Sequence, residues 1–298
     1  MTQAPLISNE DKKYRGAYFL NQYLLLLPGL VLFLLFFIFP MAVLFENSFH
    51  DFSRMSGIIP GLTFKNYIKI LGDSYYLEIC LRTIKLALMT SVTTLLIGYP
   101  VALYLVSASA RKRAWIILFI LSPLLVSVIV RTFGWLILLG SNGLLDNVGQ
   151  AFGFQLGSML HTQTVVIVGL ANVLLPFMVL SITTSLQTID PSVVKAATSL
   201  GANPWRVFTK VIFPLSLPGV FSGILIVFSL ASSSFVTPAL LGGSNFKVLS
   251  SVIYEQAMVL QNWPFAASFA VTLMVIVLGI LALQRRAIEG GKYKVVFH

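Results

Sequence analysis

The stretch IDPSVVKAATSLGANPWRVFTKVIFPLSLPG, residues 189–219, predicts two short helices that lie between two long apolar segments. Asp190 is a favourable N-cap, and Pro191 at the first helical position loses no hydrogen bond, because an N–H there has no partner within the helix. Gly201 falls where a helix of about ten residues should end, and the Asn-Pro pair at 203–204 repeats the start signal. We therefore expect a bent helix pair with Gly201 at its corner.

The second predicted helix separates apolar from basic side chains. Trp205, Phe208 and Ile212 recur at spacings of three and four residues, which places them on one helical face. Arg206 and Lys210 share a different face. Charged faces are not stable in hydrocarbon, so we expect the pair to lie outside the bilayer core. An amphipathic helix resting on the membrane surface would show a similar pattern, and this alternative stays open.

The composition is that of an integral membrane protein. Of 298 residues, 57% are hydrophobic and only 10% are charged, and the mean hydropathy of +0.90 is far above that of water-soluble proteins. The formal net charge of +10 would also suit a nucleic-acid-binding protein, but basic residues of membrane proteins usually mark topology. We therefore expect a lipid bilayer, and no nucleic acid, as a partner.

Six apolar segments are long enough to cross about 30 Å of hydrocarbon as helices, which takes about 20 residues each. Their limits are 23–45, 86–106, 114–130, 164–186, 217–236 and 265–283. The third is the least regular, because Pro123 interrupts it and Arg131 follows. It therefore either continues past Trp135 or breaks there.

The placement of basic residues predicts the orientation, because Lys and Arg are enriched in cytoplasmic loops. Thirteen of the 20 basic residues lie before the first span, between the second and third spans, in the helix pair, or after the last span: Lys12, Lys13, Arg15, Arg111, Lys112, Arg113, Lys195, Arg206, Lys210, Arg285, Arg286, Lys292 and Lys294. Both termini and the helix pair are therefore expected in the cytoplasm. The predicted fold is all-α: a six-span domain at 23–283 that carries a helix pair at 189–213 between spans four and five, with cytoplasmic tails at 1–22 and 284–298.

The connections on the opposite side are expected to carry structure of their own. Thr63 before the amphipathic run FKNYIKIL, residues 64–71, predicts a capped short helix at the outer membrane interface. Gly242 and Gly243 predict a turn, and Asn262 is expected to restart a helix as its N-cap.

The helix pair also carries a motif. Lys195-Ala196-Ala197 is followed four residues later by Gly201, and later by Pro214 and Pro218. This closely resembles the cytoplasmic loop of binding-protein-dependent ABC importer permeases, whose pattern is Glu-Ala-Ala, three residues, Gly and a later Pro; this chain departs from it at Lys195. The resemblance implies that the bent pair enters a groove on an ATPase subunit. The implied contact residues are Asp190, Lys195, Ala196, Ala197, Leu200, Gly201, Trp205 and Phe208.

Further motifs, in a shared order along the chain, resemble the spermidine/putrescine subgroup of these permeases. They are Asn66-Tyr67, Gly98-Tyr99-Pro100, Arg131 with Trp135, Gly143-Leu144-Leu145, Thr237-Pro238, Leu241-Gly242-Gly243 and Asn262-Trp263-Pro264. The resemblance implies a multi-pass subunit of the bacterial inner membrane that pairs with a second, homologous permease chain. It also implies two cytoplasmic ATPase subunits, which would bind ATP and Mg, and a periplasmic solute-binding protein. The implied solute is a polyamine or a related small amino compound, such as an amino acid, an opine or an organophosphonate.

Polar and aromatic residues at membrane depth are the candidates for the solute path, because polar groups are costly there unless they serve a function. The candidates are Tyr99, Arg131, Trp135, Ser232, Ser233, Ser234 and Phe235. Small hydroxyl residues also let helices pack closely, and basic or aromatic residues also anchor membrane edges, so these alternatives stay open. The predicted spans contain no acidic residue to pair with an ammonium group, so such contacts would come from partner subunits or from margins such as Glu46, Asp51, Asp146 and Glu255.

Catalytic motifs are absent from the sequence. It contains no Gly-x-x-x-x-Gly-Lys-Ser/Thr phosphate loop, no His-Glu-x-x-His zinc motif and no Gly-x-Ser-x-Gly nucleophile motif. We therefore expect no catalytic residue, no metal and no cofactor in this chain. The alternative is a secondary transporter or channel that works alone, which should show titratable residues inside its spans or matched broken helices.

Overall fold

A computed structural model describes residues 26–141, 143–152, 160–244 and 246–289. Its helices are α1 (Leu26–Asn47), α2 (Lys65–Gly72), α3 (Ser74–Ser107), α4 (Ala110–Leu125), α5 (Val128–Leu139), α6 (Leu144–Ala151), α7 (Gln163–Gln187), α8 (Pro191–Ser199), α9 (Pro204–Ser233), α10 (Val236–Gly242), α11 (Leu249–Tyr254) and α12 (Trp263–Glu289). Two strands, β1 (Asp51–Ser53) and β2 (Gly57–Ile59), precede α2. The predicted tail at 1–22 and the last residues of the tail at 284–298 lie outside the described residues.

Within the described part of the chain, six helical segments are long and apolar enough to cross a membrane. They are Leu26–Asn47, Ser74–Ser107, Val128–Val148, Gln163–Gln187, Pro204–Ser233 and Trp263–Gln284. The prediction of a six-span, helical membrane protein is confirmed.

The third span lies later in the chain than predicted. The prediction placed it at 114–130, but α4 ends at Leu125 and α5 begins three residues later. The chain between the two helices is extended, with a ψ of 136° at Val126. Pro123 lies inside α4, two residues before its end, and lacks the N–H that would bond to the carbonyl four residues earlier. The predicted limits were therefore wrong.

The second short helix of the predicted pair is the beginning of the fifth span. The helix α9 continues for 30 residues, whereas the prediction ended a short helix at 213 and began the span at 217. A π-helical turn at Phe208–Ile212 ends two residues before Pro214. Proline cannot donate to the carbonyl four residues earlier, and the wider π turn accommodates that mismatch. The prediction of a separate second helix was therefore wrong.

The connection between α1 and α3 contains a hairpin that the all-α prediction did not include. Strands β1 and β2 pair antiparallel, with Phe52 opposite Ile58. The helix α2 follows near its predicted start, where the hydroxyl of Thr63 accepts a hydrogen bond from the N–H of Lys65 at 3.2 Å. The side chain of Asn66 donates to the carbonyl oxygen of His50 at 2.9 Å and so joins α2 to the segment that precedes the hairpin.

The core lies where α3, α7 and α9 pack against one another. Buried members of this cluster include Met178, Ile182 and Phe228. Close approach depends on small residues: a Cβ atom at Gly219 of α9 would lie 2.5 Å from the carbonyl oxygen of Ser181 on α7. Helices in a membrane associate largely through such close packing, because the hydrophobic drive between them is weak.

A smaller cluster joins α2 and the start of α3 to α11 and α12. Its buried residues include Ile70, Ile79, Leu249 and Phe269. The helix α1 packs on α12 but buries none of its own residues, so its apolar surface is open to lipid or to another chain.

Candidate functional site

The first helix of the pair, α8, begins as the sequence predicted. Oδ1 of Asp190 accepts a hydrogen bond from the N–H of Ser192 at 2.8 Å, and Pro191 occupies the first helical position. This hydrogen bond favours the ionised carboxylate, so the pKa of Asp190 lies below its ordinary value. The local start signal is therefore sufficient to define this end of the helix.

Gly201 forms the corner between α8 and α9. Its φ of +80° lies in the left-handed region that glycine adopts without strain. Its N–H donates to the carbonyl of Thr198 at 3.0 Å, and the N–H of Ala202 donates to the carbonyl of Ala197 at 3.2 Å. This pair of bonds is the Schellman arrangement, which ends a helix and turns the chain. Asn203 then caps the start of α9 with its side-chain oxygen.

Apolar side chains are exposed around this corner. Leu200 is 88% exposed and Trp205 is 72% exposed. Lys195 and Ala196 are also exposed, and Ala197 is half-buried. Large apolar side chains that stand open beside basic residues indicate a contact surface for another molecule. We call the segment 189–213 the corner segment.

Phe208 connects the corner segment to the core. Its ring centroid lies 5.7 Å from those of Trp205 and Tyr99, and 6.1 Å from that of Phe213. Tyr99 is buried, and its hydroxyl lies 2.7 Å from the hydroxyl of Ser216 on α9. The sequence made Tyr99 a candidate for the solute path, and the structure places it in the core beside the corner segment. Its role in transport stays a prediction.

Two other path candidates, Arg131 and Trp135, lie together. Both are half-buried, and both line a cleft of about 530 Å³ between α4, α5 and α7. One nitrogen of the Arg131 guanidinium donates to the carbonyl oxygen of Pro123. This contact satisfies a carbonyl group near the break between α4 and α5.

The remaining path candidates lie at the end of α9. Ser232 is buried, and its hydroxyl donates to the carbonyl of Phe228 at 2.8 Å, whereas Ser233 is exposed. The helix ends there, and Ser234 has an extended conformation before Phe235 and α10. Non-helical backbone at membrane depth is tolerated only where protein covers it or where it lines a cavity.

Contacts from α11 cover this break. The hydroxyl of Ser250 donates to the carbonyl oxygen of Ser234 at 2.7 Å. The ring of Tyr254 stacks on Phe235 with the centroids 4.6 Å apart. The break is therefore held by a segment that follows it in the chain.

Sequence reasoning missed three residues at these places. Asn172 of α7 lines the cleft with Arg131. It could have been singled out in the sequence as a polar carboxamide inside an otherwise apolar segment. Ser250 and Tyr254 contact Ser234 and Phe235, which precede them by 16 and 19 positions in the sequence. No local sequence pattern predicts contacts over that separation.

The chain is similar to known proteins over most of its length. The sequence profile of the family described as "Binding-protein-dependent transport system inner membrane component" matches residues 7–286. The spermidine/putrescine transport system permease protein PotB of Escherichia coli (strain K12) is 31% identical over 255 residues, which cover 84% of this chain and 90% of PotB. The inner membrane ABC transporter permease protein YdcU of the same strain is 28% identical over 287 residues, covering 90% of each protein.

A solved structure has the same arrangement of helices. One chain of a bacterial alginate ABC transporter, crystallised in complex with an alginate pentasaccharide-bound periplasmic protein, superposes with a TM-score of 0.76. The superposition covers 93% of this chain and 96% of that chain, at 17% sequence identity. At this identity the likeness concerns the fold and not the solute.

Proposed function

This chain belongs to the family of binding-protein-dependent transport system inner membrane components, and from this premise we propose that it is the permease subunit of an ATP-driven importer. It is a multi-pass protein of the inner membrane, and its relatives are transport permeases and not enzymes. In the proposal the chain forms part of the solute path. The corner segment couples that path to separate ATPase subunits, which bind ATP and Mg.

The observation that carries the coupling role is the exposure of Leu200 and Trp205 on either side of Gly201. Both side chains stand on a capped, well-defined turn, so a partner can bind them without first ordering the chain. Exposed apolar side chains on a rigid bend suit insertion into a groove, where they become buried anchors. Lys195 stands where the family pattern has an acidic residue. In this chain, binding to the ATPase subunit would therefore depend more on shape complementarity and apolar contacts than on a charge pair.

The continuity of α9 supplies a mechanical link between the corner segment and the candidate path. Its 30 residues extend about 45 Å at 1.5 Å per residue. Trp205 lies at one end, and residues 232–235 lie at the other. When ATP binding draws the ATPase subunits together, the corner segment moves with them, and the helix transmits the displacement to its far end as a rigid body.

The proposed arrangement places both termini and the corner segment in the cytoplasm, as the distribution of basic residues supports. The complete importer contains a second, homologous permease, two ATPase subunits and a solute-binding protein outside the membrane. The name of PotB refers to spermidine and putrescine. For this chain we propose a small amino compound as the solute, with polyamines, amino acids, opines and organophosphonates as the classes to compare.

Co-purification with the ATPase subunit of the same transport system tests the coupling role. In Leu200→Ser and Trp205→Ala, recovery of the ATPase with the permease should fall about ten-fold or more, because each change removes an apolar anchor. Leu62→Ser is the matched control, since Leu62 is 79% exposed but lies in the connection between β2 and α2. Unchanged recovery in both corner variants would refute the docking surface.

Transport by reconstituted protein separates the importer from a transporter that works alone. We expect no ATP hydrolysis by the purified chain and no uptake into vesicles that contain it without the ATPase subunits. Solute accumulation by the chain alone would favour the secondary transporter.

A further inference from the structure

The cleft between α4, α5 and α7 contains Arg131, which interrupts the longest uncharged segments of the described spans. Segments 26–45, 86–106, 128–139, 164–186, 211–233 and 265–283 contain no Asp, Glu, Lys or Arg except Arg131. A charge at membrane depth is costly and almost always faces a cavity or a partner group. Arg131 is therefore the residue of the spans that most requires a functional explanation.

The guanidinium of Arg131 is only partly satisfied by its own chain. Nη1 donates to the carbonyl oxygen of Pro123, whereas Nη2 is shielded from water and has no hydrogen-bond acceptor among the residues that the structure describes. A guanidinium presents five N–H groups in a planar fork, and its preferred ligands are carboxylate and phosphate-like oxygens. An acceptor that enters the cleft would complete this set of hydrogen bonds.

Other residues that line the cleft suit a small polar ligand. Trp135 provides an aromatic wall, and Asn172 provides an exposed carboxamide on α7. Leu138 and Val126 add apolar surface to the open cleft. The volume of about 530 Å³ falls within the range of small-molecule sites, which combine apolar walls with a few placed polar groups.

We infer that this cleft binds an anionic, oxygen-bearing group of the transported solute, a carboxylate or a phosphonate, through Arg131. The inference rests on the proposed function and narrows its solute class to small amines that also carry an acidic group. A solute with ammonium groups alone would meet like charge at Arg131, and the three helices that line the cleft, α4, α5 and α7, contain no acidic side chain to offset it. Amino acids, opines and aminoalkylphosphonates satisfy both requirements.

Uptake by cells that make the complete transporter tests the inference with three probes: 2-aminoethylphosphonate, β-alanine and putrescine. We expect at least one of the two acidic amines to enter faster than putrescine. In Arg131→Gln the apparent KM for that probe should rise roughly ten-fold or more, because a charge-assisted hydrogen bond is lost. Arg131→Lys should show a smaller rise, since it keeps the charge but not the fork.

Lys112→Gln is the matched control, because it removes an exposed positive charge from the first turn of α4, away from the cleft-lining residues. Its uptake should equal that of the wild type. Preference for putrescine, no uptake of either acidic probe, or an unchanged KM in Arg131→Gln would each overturn the inference. An unchanged KM would instead fit a role in which Arg131 pairs with an acidic side chain of the second permease.

A separate measurement distinguishes failure of the inferred anion-binding role of Arg131 from failure of the proposed importer function. ATP hydrolysis by the reconstituted transporter, stimulated by its solute-binding protein, depends on coupling and not on the anion site. If stimulation persists while the uptake results contradict the inference, only the solute class is wrong. If the complete transporter shows no stimulation, the proposed function fails as well.

Discussion

The hydroxyl of Tyr99 on α3 lies 2.7 Å from the hydroxyl of Ser216 on α9, across 117 positions of the sequence. Ser216 also donates to the carbonyl oxygen of Phe213 at 2.9 Å. A serine hydroxyl has one proton, so Tyr99 is the donor of the shared bond and Ser216 is the acceptor. The direction of this bond predicts that the two partners are not equally costly to remove.

Ser216→Ala should destabilise the chain more than Tyr99→Phe. The alanine leaves a buried tyrosine hydroxyl without its acceptor, at a cost of about 1–3 kcal/mol, whereas the phenylalanine removes the donor and leaves the second bond of Ser216 intact, at a cost of about 1 kcal/mol or less. Thermal unfolding midpoints in detergent would measure the difference. Thr184→Ala is a suitable control, because its exposed hydroxyl bonds only to its own helix. Equal midpoints for the two core variants would contradict the assigned direction.

Gly219 should tolerate no larger residue. In Gly219→Ala the added Cβ would lie 2.5 Å from both the carbonyl oxygen of Ser181 and the Cβ of Ser185, so α7 and α9 must separate. Overpacking of this kind costs about 1–3 kcal/mol. Gly279→Ala is the matched comparison, since its Cβ would meet no atom within 4 Å and alanine favours a helix by about 1 kcal/mol. A lower unfolding midpoint for the Gly219 variant alone is expected, and the reverse order would show that α7 and α9 can adjust.

Local signals predicted the caps and the number of spans, because they depend on residues that are neighbours in the chain. Asp190, Gly201 and Asn203 each act on backbone groups within a few positions, and the structure has all three in their predicted roles. The long apolar runs likewise reflect the thickness of hydrocarbon. Prolines were less predictable: α4 ends two residues after Pro123, whereas α9 continues past Pro214 with a π turn before it.

The candidate site was predictable only in part. The corner segment forms from one continuous stretch, so its motif was visible in the sequence. The cleft joins Arg131 to Asn172 through the packing of separate helices, and the aromatic pair of Phe235 and Tyr254 likewise forms across a connection. Tyr99 was a path candidate because it is an aromatic residue in a span. Its observed partners lie beside the corner segment, and its role in transport stays a prediction.

The start of α8 should depend on pH through Asp190. Its pKa is lowered from the ordinary value of 3.8, chiefly by the hydrogen bond from the backbone of Ser192. A lowered pKa in the folded state means that the stabilising contribution is complete above the ordinary value and is lost as the pH falls through the lowered one. The helix start should therefore loosen in acid below 3.8.

Hydrogen exchange of the α8 amides would measure this effect at about pH 5 and about pH 2.5, with rates corrected to those of an unfolded peptide. Asp190→Asn is the control, because asparagine keeps a capping oxygen but does not titrate. We expect protection to decrease in acid for the wild type and to remain constant for the variant. The same acid response in both proteins would assign the loosening to another group.

A substitution at Gly201 can be compared with one at a second glycine that has a similar positive φ, so that the effect of backbone strain is separated from the effect on coupling. Gly57 has a φ of +72° and Gly201 a φ of +80°, and an added Cβ would meet no atom within 4 Å at either position. Gly57→Asp and Gly201→Asp should therefore share a similar strain of about 1–2 kcal/mol and insert into the membrane at similar levels. Only the Gly201 variant places a carboxylate at the corner between Leu200 and Trp205, so it alone should abolish uptake driven by ATP. Measured in the complete transporter at matched expression, equal uptake by the two variants would mean that the corner does not contact the ATPase.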